Sequence, residues 1–429
     1  MKKYMHIIVL AVVIAAVAKT TAQAQPYYVK TYKHPDNGLT SRDIEYHAGE
    51  DIYWVVGTGF FCELEESSHL IRLDSRGSIG YTIDYCSHDA TGGSTILDGD
   101  TLLVGFNNAP IKSHFNLLLV NALSTDSLTS IRLPIEPQYS RQLIQDCNKM
   151  NGKHYIAGRG YIDSLGMIPL FYVLNDDLSV DTMITVDTVF DGRISDMAMT
   201  EDSVLLVMYD PKEEQVFSSP AYKMVVGYNR EYQEVVRYRS EEEYDRTVTT
   251  FEYVGDGEIV YYSEEADGNR VPYLKRVNVY SGETIWKKVY EQRAFIPDGV
   301  GVWRWNARNI VQLSDGDLLF TGLLFDSFDK ENIDNESAYL AKVDIDNGDI
   351  IWDRVIRKDR ETTDRPEDHW IGAILDVIEH DNGDLAMVGY IGSPTGNEML
   401  FLRTDSDGCI TPDCGKYIDL DELAVSSEE

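Results

Sequence analysis

Residues 276–289 read RVNVYSGETIWKKV and residues 342–355 read KVDIDNGDIIWDRV, two stretches with glycine and tryptophan in register at Gly282, Trp286 and at Gly348, Trp352. Each is a strand-like run, a polar turn and a second strand-like run. A chain that writes this twice is built from copies of one unit, and self-similarity at a fixed period decides the architecture before any local motif does.

Working outward, a glycine-led apolar strand with a second small residue six positions on recurs along the chain. It stands at 99–105 (GDTLLVG), 152–158 (GKHYIAG), 257–263 (GEIVYYS), 316–322 (GDLLFTG) and 383–389 (GDLAMVG), with degenerate copies at 51–57 (DIYWVVG) and 202–208 (DSVLLVM). An apolar segment and a turn rich in Asp, Asn or Gly precede each, so each pair reads as a hairpin. A third strand follows (HLIRLD, NLLLVN, LFYVLN, KMVVGY, YLKRVNV, YLAKVDI, MLFLRTD), then a turn and a fourth. No apolar stripe of helical period is present, which excludes a helical solenoid. Seven units of four antiparallel strands predict an all-β, seven-bladed β-propeller, in which radial repetition leaves only short protected edges.

The ends support closure. After MLFLRTDSDG the seventh unit meets CITPDCG, where Pro412 removes a ladder donor and argues against a regular fourth strand. YYVKTYK at 27–33 is a strand without a repeat of its own. It is expected to pair beside residues 398–404 as the outer strand of blade seven, which closes the ring. Residues 1–24 read as a signal peptide: two lysines, an apolar run from Ile7 to Ala18 too short to span a bilayer, and Ala22-Gln23-Ala24 in small-x-small form. The expected organisation is signal 1–24, propeller 25–408 and C-terminal tail 409–429, in a protein that is secreted or periplasmic.

The formal charge is −34, from 72 acidic against 38 basic residues, and removal of Lys2, Lys3 and Lys19 with the signal makes the excess larger. Such a surface repels phosphate backbones and anionic membranes, so neither nucleic acid nor membrane insertion is expected. It favours solubility and is expected of a monomer.

The Gly-x-x-x-Trp ending of YSGETIW and DNGDIIW resembles the repeat of the quinoprotein-like (pyrroloquinoline-quinone-type) propellers, and the resemblance implies that these tryptophans pack between blades. It covers two blades well. The adjacent cysteine pair that many quinone enzymes of that group set against the cofactor does not occur in this chain, so the resemblance supports the fold and not the dehydrogenase chemistry. FLRTDSDGCITPDCG is similar to the end of secreted bacterial propellers that often carry a C-terminal sorting domain. Here only KYIDLDELAVSSEE follows.

In a propeller the second-to-third and fourth-to-first loops emerge on one face, the top. Cys62 and Cys86 both reach that face in blade one, and in an exported protein a disulfide is expected between them, worth about 3 kcal/mol for a loop of this size. Cys409 and Cys414 could clip the tail. Cys147 is left over and reads as a buried thiol.

Candidate chemistry is sparse. DSFDKENIDNE places Asp326, Asp329, Glu331 and Asp334 in one top loop, oxygen ligands that suit Ca²⁺, without the ordered spacing of a dedicated calcium loop. The bland alternative is a solvated acidic loop. No other cofactor is expected. There is no Gly-x-Ser-x-Gly elbow and no His-Glu-x-x-His. The most specific feature is aromatic: Tyr139, Trp303 and Trp370 each stand thirteen residues before a hairpin glycine, in loops leading into innermost strands. Arg141, Arg304, Arg308, Arg365 and His369 are their basic neighbours. Such a cluster would bind a sugar face or an anionic polymer by stacking and charge, and the opposing reading is that the rings cap the core between blades. Two function classes stay open: a noncatalytic secreted propeller that binds a protein, peptide or glycan on its top face, and a propeller-scaffold enzyme, either a quinoprotein-like oxidoreductase or a glycoside hydrolase.

Overall fold

The computed structural model describes residues 27–420 apart from 33–38, 63–64, 87–92, 109–113, 125–126, 135–137, 140, 163–165, 187–190, 213–223, 241–249, 266–270, 291–301, 328–334, 358–371, 394–395 and 412–413. The described residues form seven sheets: blade one 39–86, blade two 93–132, blade three 141–185, blade four 191–239, blade five 251–289, blade six 302–357 and blade seven 372–404. Within each blade the strands run antiparallel in chain order. The first strands of successive blades touch one another all the way round, and that of blade seven (Gly372–Glu379) touches that of blade one (Leu39–His47). The seven-bladed propeller read from the repeats is the fold.

Burial explains the sequence pattern of each strand. Second and third strands are sandwiched between neighbouring blades, so both faces are apolar: Tyr53 to Val56 and Leu170 to Leu174 are buried without a break. A strand covered on both faces reads as a continuous apolar run. The outermost strand of blade four, Glu234–Arg239, has water on one side and alternates, burying only Val236 and Tyr238.

The turns follow from their residues. Asn151-Gly152 and Asp256-Gly257 have positive φ at both positions (51° and 73°, 55° and 75°), the geometry of a two-residue hairpin whose twist matches the flanking strands. At the end of third strands an Asp or Asn carboxyl or amide oxygen wraps the following turn. Asp74 accepts from the backbone of Arg76 and Ser78 at 2.9 and 2.7 Å, and Asp405 accepts from Asp407 and Cys409 at 3.0 and 2.8 Å. The second anchor glycines are demanded by close approach. A Cβ on Gly57 would lie 2.0 Å from the Thr40 carbonyl oxygen, and one on Gly389 would lie 1.9 Å from that of Ala373.

The duplicated motif is an interblade joint. Trp286, on the outer strand of blade five, covers Gly348 in the turn of blade six, and its Nε1 donates to Ile345 O at 2.8 Å. Trp352, one blade on, covers Gly408 of blade seven in the same way. Blade seven lacks such a tryptophan because its outer strand is Tyr28–Tyr32, paired from Tyr28↔Arg403 to Tyr32↔Met399. Here Tyr28 and Tyr32 flank Gly77 of blade one, with hydroxyls bonded to Ser75 O and Gly77 O. The N-terminal strand therefore closes the ring as expected.

Residues 409–420 are more than a tail. Tyr417–Asp419 adds a parallel fifth strand to blade six, Val355↔Tyr417 to Arg357↔Asp419. Ile410, Ile418 and Leu420 join the core between blades six and seven. A Cys409–Cys414 disulfide holds the turn before it. Cys147 is a buried free thiol. Cys62 lies opposite Glu65 and Cys86 opposite Ser67, but their side chains, like residues 1–24, lie outside the described residues. Among the described residues no helix is long and apolar enough to cross a membrane.

Candidate functional site

The channel wall is made by the first strands, and in blades one, three, four, six and seven that strand holds one residue more than its partner beside the cavity, while in blade five the extra residue, Val254, sits next to the turn instead. The register slips between Ser41 and Asp43, Ile144 and Asp146, Ile194 and Asp196, Ala307 and Asn309, and Ile374 and Asp376. The extra residues are Arg42, Gln145, Ser195, Arg308 and Leu375. A bulge re-aims side chains and recurs next to binding sites. All five line a cavity of about 1170 Å³ along the channel.

The residue after each bulge is an acid or amide, and these locate the blades against one another. Asp43 accepts from Ser94 Oγ at 3.0 Å and Thr95 N at 2.6 Å, in blade two. Asp196 accepts from Thr250 Oγ1 at 2.9 Å and Phe251 N at 3.0 Å, in blade five. Asp376 accepts from Ile44 N of blade one at 3.0 Å and from Asn309 Nδ2 of blade six at 2.5 Å. Asp146 accepts from Asn148 Nδ2 at 2.7 Å and, more distantly, from Ser94 Oγ at 3.4 Å. Lower in the same wall, Glu45 bonds the backbone of Leu97 and Glu252 that of Gln312, again one blade on.

Enclosure by the blades disfavours charge on this belt. It raises Glu45 to about 8, with the Asp43 charge adding to it, and Glu252 to about 7. Asp146 is raised by burial and then by Asp196 and Asp43, Asp196 by burial, and Asp376 by burial and then by Asp43. The Asp43 and Asp376 carboxyls also bond one another, but no group of three or more His, Cys, Asp or Glu among the described residues could hold a metal ion.

Beside this belt the bulge residues present donors and acceptors. Arg308 has its Nε buried without a hydrogen-bond partner, and no ion pair to its guanidinium is seen among the described residues. Gln145 Oε1 is likewise buried without a partner. Ser195 Oγ is spent on Met208 O at 3.3 Å. Thr95 Oγ1 on the same cavity is buried without a hydrogen-bond partner as well, although buried polar atoms are nearly always paired.

Of the residues expected from sequence, Arg308 lines this cavity. Tyr139 does not: its ring is 6 % exposed in the core of blade three, against Gly160, with its hydroxyl 3.1 Å from Thr185 Oγ1. Arg141 begins the first strand of blade three opposite Tyr161, while Trp303 and Arg304 lie in that of blade six opposite Asp326 and Phe325. Of these six side chains only that of Tyr161 lies within the described residues. Arg365, His369, Trp370, Asp329, Glu331 and Asp334 lie outside them altogether. The residues that sequence reading passed over are Arg42, Gln145, Ser195 and the belt. Their signal was an x-Asp/Asn-apolar step inside five of the seven first strands: RDI, QDC, SDM, RNI and LDV.

No protein-family model matches the chain, and no curated protein matches its sequence. Solved structures similar to it include the β-propeller domain of the Trilobed protease from Pyrococcus furiosus (13 % identity, 91 % of this chain and 100 % of that one, TM-score 0.47). A protein of unknown function from Dyadobacter fermentans gives 11 % identity over 74 % of this chain and 94 % of that one, TM-score 0.48. A europium-containing methanol dehydrogenase gives 8 % identity, 87 % and 91 % coverage, and TM-score 0.47.

Proposed function

We propose that this chain is an exported, noncatalytic propeller that binds a protein, peptide or glycan on its top face, with the ligand reaching into the central channel. The observation that carries this reading is Arg308, which lines the channel cavity with no acidic partner among the described residues, in a chain with 72 acidic residues. Convergent polar groups around a concave space are what a binding site requires. The belt carboxyls favour binding over catalysis, because they are occupied in hydrogen bonds to neighbouring blades.

The test is an array of glycans and peptides probed with labelled wild-type protein and with Arg308→Ala. Circular dichroism would verify that the variant is folded. Spots that bind wild type and lose the variant support the reading. A protein that binds nothing, or a variant with the same profile as wild type, refutes it.

A further inference from the structure

The Cys409–Cys414 disulfide stands in surroundings that a purely structural bridge does not need. Arg354, on the fourth strand of blade six, donates from Nη2 to Cys409 Sγ at 3.4 Å and to Asp407 O at 2.7 Å. Its guanidinium also lies over the Trp352 ring, 5.0 Å from the centroid, so the side chain is held from two sides. Of the two half-cystines, Cys409 is only 7 % exposed, whereas Cys414 is partly open to solvent. An attacking thiolate therefore meets Cys414 first, and the sulfur that departs is the one beside the arginine.

Exchange is faster when the leaving thiol is more acidic, and a neighbouring guanidinium makes a thiol more acidic. Asp353, Asp405 and Asp407 are the acids around Arg354. Asp353 is paired with Lys416, and Asp405 accepts from the backbone of Asp407 and Cys409, so the charged group in contact with the departing sulfur is the guanidinium. We infer that Cys409–Cys414 is a thiol–disulfide exchange site whose co-reactant is a dithiol reductant. The first thiolate of the reductant bonds to Cys414 Sγ as the Cys409–Cys414 bond breaks, and the electron pair is left on Cys409 Sγ against Arg354. The second thiolate then attacks the reductant's own sulfur in the mixed disulfide and expels Cys414 Sγ. The reductant departs oxidised to a disulfide, and its two electrons and two protons end on Cys409 and Cys414. The Cys409 thiol so formed has Asp407 O as acceptor, 3.8 Å away.

What the bond controls is the C-terminal strand. Cys409 is fixed in the last turn of blade seven, its N–H on Asp405 Oδ1 at 2.8 Å and its carbonyl accepting from Asp405 N at 2.9 Å. Cys414 lies just before Lys416, whose carbonyl accepts from Val355 N at 2.8 Å and whose amine pairs with Asp353 at 2.6 Å. The disulfide ties Tyr417–Asp419 to blade seven. Without it the strand is held by its short ladder on Val355 to Arg357, by Lys416 and by the burial of Ile418 and Leu420. Reduction loosens that hold, and the bridge is a redox latch on the edge of blade six.

The experiment treats the folded full chain with dithiothreitol at neutral pH, follows alkylation of the tryptic peptide 404–416 by mass spectrometry, and reads hydrogen exchange in parallel. The bridge should be reduced while circular dichroism shows the propeller still folded, and exchange should rise at 355–357 and 416–420 but not in blades two to four. Arg354→Met should slow the reduction by about five- to tenfold, the effect of a less acidic leaving thiol, and Arg354→Lys should keep most of the wild-type rate. A bridge serving structure alone gives the opposite sign, because losing the bond from Arg354 to Asp407 O frees the turn and speeds reduction. Cys409→Ser with Cys414→Ser should show the exchange pattern of the reduced protein. Reduction only on global unfolding, a rate unchanged or raised in Arg354→Met, a rate in Arg354→Lys as low as in Arg354→Met, or exchange at 416–420 unaffected by reduction or by the double serine variant would each overturn the inference.

Discussion

At the residue scale, the glycines sort by what surrounds them, and the sorting yields a test. Gly389 faces a backbone carbonyl that cannot yield, because moving it breaks the ladder of the first strand. Gly282 has positive φ (75°), but a Cβ there would meet nothing within 4 Å. Gly389→Ala should therefore cost about 3 kcal/mol or more, in the range of severe overpacking. Gly282→Ala should cost only about 1 to 2 kcal/mol, the strain of a left-handed residue. Urea denaturation of the two variants measures this, and equal losses would contradict it. Gly282 is open because its neighbour has no tryptophan: the position in blade four matching Trp286 is Val236.

At the element scale, the tryptophan joint and the C-terminal strand each fasten one blade to another. Trp286 is half-buried and gives Ile345 O a hydrogen bond. Trp286→Ala should cost roughly 2 to 3 kcal/mol, somewhat below a fully buried tryptophan. The added strand is held by Val355 N to Lys416 O at 2.8 Å, by Lys416 with Asp353 at 2.6 Å, and by the burial of Ile418 and Leu420. Truncation after residue 408 would uncover Ile356 and its neighbours in the core of blades six and seven. The thermal midpoint of the truncated chain should fall, and faster hydrogen exchange should be confined first to blades six and seven. A midpoint equal to that of the full chain would show that the strand stabilises nothing.

The element scale also shows where sequence reading stopped. Gly-x-x-x-Trp, the anchored hairpins and the unpartnered YYVKTYK strand are local patterns, and each led to its correct place. Arg42, Gln145 and Ser195 were marked only by the Asp that follows each of them, which does not stand out in this chain. Whether a strand residue lines a channel depends on a bulge, and a bulge is a property of two strands in register rather than of either alone. Asp43 and Asp376 were equally hidden, because one more Asp is unremarkable in a chain with 72 acidic residues. Tyr139 shows the converse: the spacing was real, but in blade three it serves packing over Gly160.

At the scale of the whole molecule, the carboxyl belt makes stability depend on pH. Glu45 and Glu252 hold their protons more tightly folded, at about 8 and about 7, than an unfolded glutamate at about 4.3. A proton bound more tightly by the folded state stabilises it at low pH, fully below the unfolded value, and that contribution drains away as pH rises through the folded values. Asp146, Asp196 and Asp376 are shifted in the same direction. The thermal midpoint should be higher at pH 5.5 than at pH 8.5, and Glu45→Gln, which keeps an acceptor for Leu97, should flatten part of that slope. A midpoint constant or rising over this interval would mean that the belt is solvated.

The sequence by itself determined the number of blades, the order of strands, the closure by the N-terminal strand and the turn residues. These depend on contacts between neighbours in the chain or between copies of one unit, which leave a periodic trace. Only the tertiary structure decided what faces the axis. Residues from seven separate blades meet there, most of them re-aimed by a bulge, and a polar side chain acquires a partner or a shifted proton only from what the other blades bring opposite it.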